Sequence, residues 1–153
     1  MNRLHPRIRV VWAGQAVVTA AVVGLVALAV DRLAVDLPAW TPPAVFVVVL
    51  TAGVGLALAR YRVWRYEIRD DSLYLERGVF TRVRTVVPFV RIQHVDSARG
   101  PVERLVGLAN TVVYTAGSRG ADVAIPGLTA GGADDLRERL KRLAIRAEGE
   151  DAV

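Results

Sequence analysis

Two long apolar stretches occupy the first part of the chain, and short alternating segments follow them. Val10 to Val30 is a run of 21 residues without a charge, enough for a helix to cross about 30 Å of hydrocarbon. A second uncharged run covers 23 residues from Leu37 to Ala59. Pro38, Pro42 and Pro43 confine its helix to roughly Pro43 onward, because proline suits only the first turn. Only Asp31 to Asp36 separates the runs. The pattern therefore predicts a transmembrane helical hairpin over 10–59, with helices at about 10–30 and 43–59 and a loop at 31–36. The first run is too long for a signal peptide, whose apolar region is about 7–15 residues. Small residues recur at helical spacing in Ala20 and Gly24, Gly53 and Ala57, and Gly55 and Ala59, as ordinary membrane-helix composition or as a packing face. Gln15, the one strongly polar side chain inside a span, is expected to hydrogen-bond to the other helix.

From Tyr66 to Ile125 no helical period persists, and the alternation is that of strands. Tyr66–Arg69 and Leu73–Glu76 flank the turn Asp70-Asp71-Ser72 as a first hairpin. Arg77-Gly78-Val79 is a second turn. Strands are then expected at Arg82–Pro88, Ile92–Ala98, Leu108–Ala116 and Val123–Ile125, six or seven in all with the first pair. Pro101–Val106 reads as a short helical turn stopped by Gly107. After Gly131-Gly132 the period changes: Asp134 and Asp135 place acid at a helix start, and Leu136, Leu140 and Leu143 fall on one face that can cover the sheet. The domain is thus predicted at 66–147, with a frayed tail at 148–153. No strand takes its pattern from the spans, so residues 66–153 are expected to fold alone.

Composition agrees with a membrane protein: 53% of residues are apolar and mean hydropathy is +0.34. Charge sharpens the topology. The whole excess of +5 stands beside the spans, because residues 66–153 balance and the hairpin loop is net acidic. Arg3, Arg7 and Arg9 form a basic flank at 1–9, and Arg60, Arg62 and Arg65 another at 60–65. Retained loops carry such an excess, so both termini are expected to be cytoplasmic in a two-span cell-membrane protein. Trp12, Trp40, Tyr61 and Trp64 sit where interfacial aromatic rings are expected. The basic pI reflects anchoring to anionic lipid, and no nucleic-acid partner is predicted.

Little chemistry is available. There is no cysteine and there are two histidines, which removes cysteine nucleophiles and thiolate metal sites. His94 and Asp96 share a strand face near Ser97, the ingredients of a relay, but no nucleophile context marks them and a polar strand face is the better reading. The acidic pairs Asp70-Asp71 and Asp134-Asp135 read as a turn and a helix start. Gly117, Gly120, Gly127, Gly131 and Gly132 match no phosphate-binding or dinucleotide fingerprint. No catalytic residue, cofactor, metal or small-molecule substrate is predicted. Arg91, Gln93 and Arg104 are the candidate site residues, either to hold a ligand or to lock a loop to the sheet.

Gly78-Val79-Phe80, Val87-Pro88-Phe89 with Arg91-Ile92-Gln93-His94-Val95, Arg104-Leu105-Val106-Gly107-Leu108-Ala109, Thr115-Ala116-Gly117 and Ile125-Pro126-Gly127-Leu128 together resemble the bacterial pleckstrin-homology-like domain of the YdbS type. The resemblance runs through the whole β region, and the preceding hairpin is also that family's arrangement. It implies a transmembrane hairpin followed by a mainly antiparallel, pleckstrin-homology-like barrel closed by a C-terminal α-helix. It also implies a non-enzymatic interaction module, within a complex of membrane proteins or by self-association. A lipid-sensing or lipid-handling accessory is the alternative. Phosphoinositide-binding relatives of this fold carry a basic first hairpin turn, whereas this one is Asp70-Asp71-Ser72, which disfavours that ligand.

Overall fold

The computed structural model describes residues 1–117 and 121–151, so Gly120 and the end of the expected tail lie outside the described residues. Two compact units divide the chain: Arg9–Arg62, and a β-rich body of Met1–Ile8 with Val63–Val153.

The first unit is the hairpin. Helix α1 spans Ile8–Leu33 and α2 spans Thr41–Val63, and both are long and apolar enough to cross a membrane. They outrun the predicted limits of 10–30 and 43–59 because flanking polar residues continue each helix. Pro42 and Pro43 fall in the first turn of α2, where the missing N–H groups have no helical acceptor to lose. Arg60 and Arg62 fall in its last turn, where cations suit the helix dipole. Between the helices, Asp31 Oδ1 accepts the Leu37 N–H at 2.9 Å. The helices meet through small residues: a Cβ on Gly53 would stand 2.8 Å from that of Ala16, and one on Gly24 would stand 3.3 Å from that of Phe46. Ala20 and Ala57 are buried. Two of the three small-residue pairs thus form the contact, whereas Gly55 faces open space. Gln15 is a correction: its side chain is exposed along the groove between the helices and not bonded across them.

The β-rich body begins before the spans. Strand β1, Asn2–Arg3, pairs antiparallel with β2, Arg65–Ile68, through Asn2↔Tyr66 and Arg3↔Arg65. The sequence gives no sign of β1, since two residues carry no period. Leu4 and Ile8 follow it into the core, and the His5 N–H donates to the Gly127 carbonyl at 2.7 Å. Trp64, expected at the membrane interface, is buried. Residues 66–153 alone would therefore lack a strand, the first residue of β2 and the three core side chains Leu4, Ile8 and Trp64.

β2 turns into β3, Ser72–Arg77, and β3 into β4, Val83–Pro88, completing a sheet in the order β1-β2-β3-β4. Tyr74 is buried, and the Arg69 guanidinium lies 4.2 Å over its ring. A 3-10 turn, Phe89–Arg91, leads to the second sheet of β5 (Ile92–Ala98), β6 (Leu108–Thr115) and β7 (Val123–Thr129). The expected barrel is thus two antiparallel sheets that do not close. Pro88 ends β4 without an N–H to donate, and the turn buries Phe89 between the layers. Helix α3, Pro101–Val106, forms between β5 and β6 with Gly107 at φ +72° as its left-handed stop, as its sequence predicts.

Helix α4 runs over Ala130–Asp151, earlier and later than expected. Thr129 Oγ1 accepts the Gly132 N–H at 3.0 Å, so a threonine cap starts the helix and places both glycines in its first turn. Asp134 and Asp135 then stand in the second turn. The buried stripe is Ala133, Leu136, Leu140 and Ala144, with Leu143 at its half-buried margin. Residues 148–151, read as frayed, are helical. The stripe packs on β5, β6 and the 3-10 turn, and Leu73, Leu75, Leu108, Val113 and Ile125 are fully buried in the same body. Thr111, the one polar side chain fully enclosed among the described residues, donates to the Ala133 carbonyl at 3.3 Å, which satisfies it and ties β6 to α4.

Candidate functional site

β5 is an outer strand: it pairs with β6 on one side, and no strand is paired on its other side among the described residues. The ladder slips between Ile92 and His94, leaving Gln93 at a bulge. α4 lies along the same strand, and between them runs an open groove of about 460 Å³. Its walls include Gln93 and His94 from the strand and Arg137, Lys141, Ile145 and Glu148 from the helix. Ile145 is 60% exposed there, an apolar side chain off the buried stripe and set among charges of both signs. An outer strand beside such a groove can accept an extended peptide, whose main chain extends the sheet while alternate side chains enter the groove.

Gln93 is the sequence-predicted residue that the structure places in this groove. Arg91 ends the 3-10 turn at the start of β5, and its carbonyl accepts the Ala116 N–H at 2.8 Å. Arg104 lies on α3, beyond the far end of the same strand, and its carbonyl accepts the Gly107 N–H. All three side chains are exposed, so they do not converge on one ligand site, and the bonds at Arg91 and Arg104 run through main-chain atoms. The groove's helical wall escaped the sequence reading. Its one signal was Ile145, an apolar residue out of phase with Leu136 and Leu140.

His94 stacks on Tyr114 with ring centroids 4.3 Å apart, and its Nε2 is 3.4 Å from Asp96 Oδ2. Both members of the pair are exposed, while the neighbouring Ser97 is half-buried on the alternate face of the strand. The arrangement is a polar strand face, because a relay needs its hydroxyl on the base's side. Among the described residues no three acidic or histidine side chains group as a metal site.

The six flanking arginines separate by role. Arg9 lies 5.0 Å over the Tyr61 ring and Arg60 4.4 Å over the Trp12 ring, cation–π pairs that bind α1 to α2 at the basic end of the hairpin. Arg62 is exposed in the last turn of α2. Arg7 Nη1 donates to the Val106 carbonyl at 3.4 Å, and Arg3 belongs to β1. Arg65, in β2, is half-buried, and its Nε has no hydrogen-bond partner.

A model of the bacterial PH domain matches residues 10–144. The chain belongs to the bacterial PH domain family. It is 32% identical over 149 residues to the UPF0699 transmembrane protein YdbS of Bacillus subtilis strain 168, covering 94% of this chain and 92% of that protein. Over 99 residues it is 26% identical to the UPF0699 transmembrane protein YdbT of the same organism, covering 63% of this chain but 20% of that longer protein. No solved structure matches the chain. With its two apolar helices, this bacterial PH domain protein is a YdbS-type membrane protein of two spans.

Proposed function

We propose that the chain is a non-enzymatic integral membrane protein whose cytosolic β-rich body recruits other membrane proteins of the envelope, or a second copy of itself, through the β5–α4 groove. The observation that carries this reading is the unpaired side of β5 beside exposed Ile145. Such an edge is a liability unless it is covered or used. Binding here needs no catalytic constellation, in keeping with the dispersed polar residues. The cytosolic placement is supported by the arginines that flank both spans. The alternative, a lipid-handling accessory, would place a lipid in that groove.

The test is affinity purification of the full chain from mild detergent beside two variants, Ile145→Asp in the groove and Val86→Asp on exposed β4. A protein partner lost with Ile145→Asp and kept with Val86→Asp supports the reading. A partner indifferent to both, or lipid alone displaced by Ile145→Asp, overturns it.

A further inference from the structure

Two large apolar side chains of the β-rich body stand almost wholly in solvent: Phe80 at 91% and Leu105 at 88% exposure. Phe80 lies in the β3–β4 connection and Leu105 in α3. Neither contributes to the core or to the β5–α4 groove.

Both lie at the end of the body where the chain meets its spans. β2 starts two residues after α2, and its Arg65 pairs with Glu76 near the end of β3. The β3–β4 ladder then closes with Arg77↔Val83, so the connection carrying Phe80 is at that same end of the sheet. α3 ends beside the segment that leads into α1, since Arg7 Nη1 reaches the Val106 carbonyl. The acidic Asp70-Asp71 turn is at the opposite end of β2, four residues away, or about 13 Å at strand rise.

The charge follows the same division. Arg82 and Arg84 both reach Glu76 Oε1 at 3.8 Å, and with Arg77 they outnumber it. Arg99 and Arg104 outnumber Glu103 around α3. Exposed Phe and Leu with an excess of Arg close to them in the sequence match an anionic bilayer surface, where apolar groups enter the acyl boundary and guanidinium groups remain with phosphates. A soluble partner would have to displace the bilayer into which the chain passes directly from this end.

We propose that Phe80 and Leu105 are interfacial anchors, which hold this end of the body on the anionic phospholipid surface of the membrane that the hairpin spans. This stands apart from the groove and from any partner bound there.

The absence of cysteine makes the full chain suitable for single-site labelling. Thr81→Cys and Val102→Cys report beside the two anchors, and Asp70→Cys reports at the opposite end. Each is labelled with an environment-sensitive nitrobenzoxadiazole dye, and the protein is reconstituted into phosphatidylcholine–phosphatidylglycerol vesicles containing nitroxide-labelled lipid. Emission at positions 81 and 102 should be blue-shifted and quenched severalfold more than at 70. Adding Phe80→Asp and Leu105→Asp should bring it to the level at 70 with the circular dichroism unchanged. Equal quenching at all three positions overturns the proposal. So does a blue shift without quenching, which marks burial against protein, either in this chain or in a second copy.

Discussion

Ile8 fills the space beside Gly127: a Cβ built on that glycine would stand 2.8 Å from the Cβ of Ile8 and 2.9 Å from its Cγ1. Two residues 119 positions apart are in contact because the chain before the first span belongs to the body formed after the second. The N-terminal eight residues are thus a strand and two core side chains, Leu4 and Ile8, as well as a basic flank.

A soluble form should follow from this. Joining Met1–Ile8 to Val63–Val153 by a flexible Gly/Ser linker should give a cooperatively unfolding protein. Residues 66–153 alone should unfold at a lower denaturant midpoint or lack cooperativity, because burying Leu4, Ile8 and Trp64 contributes about 1.5–3 kcal/mol for each large side chain. Equal midpoints in urea titrations followed by circular dichroism would show β1 to be dispensable.

Gly127→Ala should be among the most damaging single-methyl changes. The residue has φ +65°, which costs an L side chain about 1–2 kcal/mol. The collision with Ile8 adds an overpacking cost of about 1–3 kcal/mol. Thermal unfolding of the linked soluble form measures the sum, and a loss below about 1 kcal/mol would contradict the packing described.

In the hairpin, Gly53→Val should separate α1 from α2, whereas Gly55→Val should be silent, because only the first position meets a neighbour. Close approach is the main attraction between helices in lipid. Disulfide trapping between Gly24→Cys and Phe46→Cys, whose Cβ positions face each other at 3.3 Å, in the presence of each valine variant, reads the difference. Equal trapping in both would exclude Gly53 as the contact.

Burial pushes the Tyr66 phenol above the ordinary tyrosine range of 10.0, partly offset by its side-chain hydrogen bond with Asn2. The folded body therefore holds this proton more tightly than the unfolded chain. Its contribution is fully present below the ordinary range and is lost as pH rises through the folded value. Stability should fall on the alkaline side, and Tyr66→Phe should flatten that limb. An unchanged alkaline limb in the variant would assign the fall to other groups.

Orientation has its own measurement. A cysteine at Val35, 55% exposed in the loop between the helices, should react with an impermeant maleimide on intact cells, whereas one at Asp70 should react only after lysis. The arginines on both flanks set this expectation. The reverse pattern would turn the protein over.

Elements with a local cause were legible in the sequence. The two apolar runs, β5, and α3 between Pro101 and Gly107 each follow from hydropathy, alternation or a proline start and glycine stop. What stayed hidden depends on distant partners. β1 is two residues long and exists only because β2 offers an edge. Trp64 resembles an interfacial aromatic until the core that covers it is assembled. α4 begins early because the Thr129 hydroxyl caps it, which outweighs the helix-breaking reading of Gly131-Gly132. Gln93 could be singled out as polar near a turn, but its groove needed the other wall, supplied by Ile145 some fifty residues later.

The pairing of β1 with β2 also sets an order of events during synthesis. Asn2 leaves the ribosome 64 residues before its partner Tyr66, and both spans must be made in the interval. The first strand waits on one side of the membrane until the chain has crossed and returned. A molecule that threads its N-terminus to the wrong side, or inserts only one span, leaves β2 without its neighbour and the Gly127 surface without Ile8. Completion of the sheet thus depends on both spans having been inserted, because only then do Asn2 and Tyr66 share one side of the membrane.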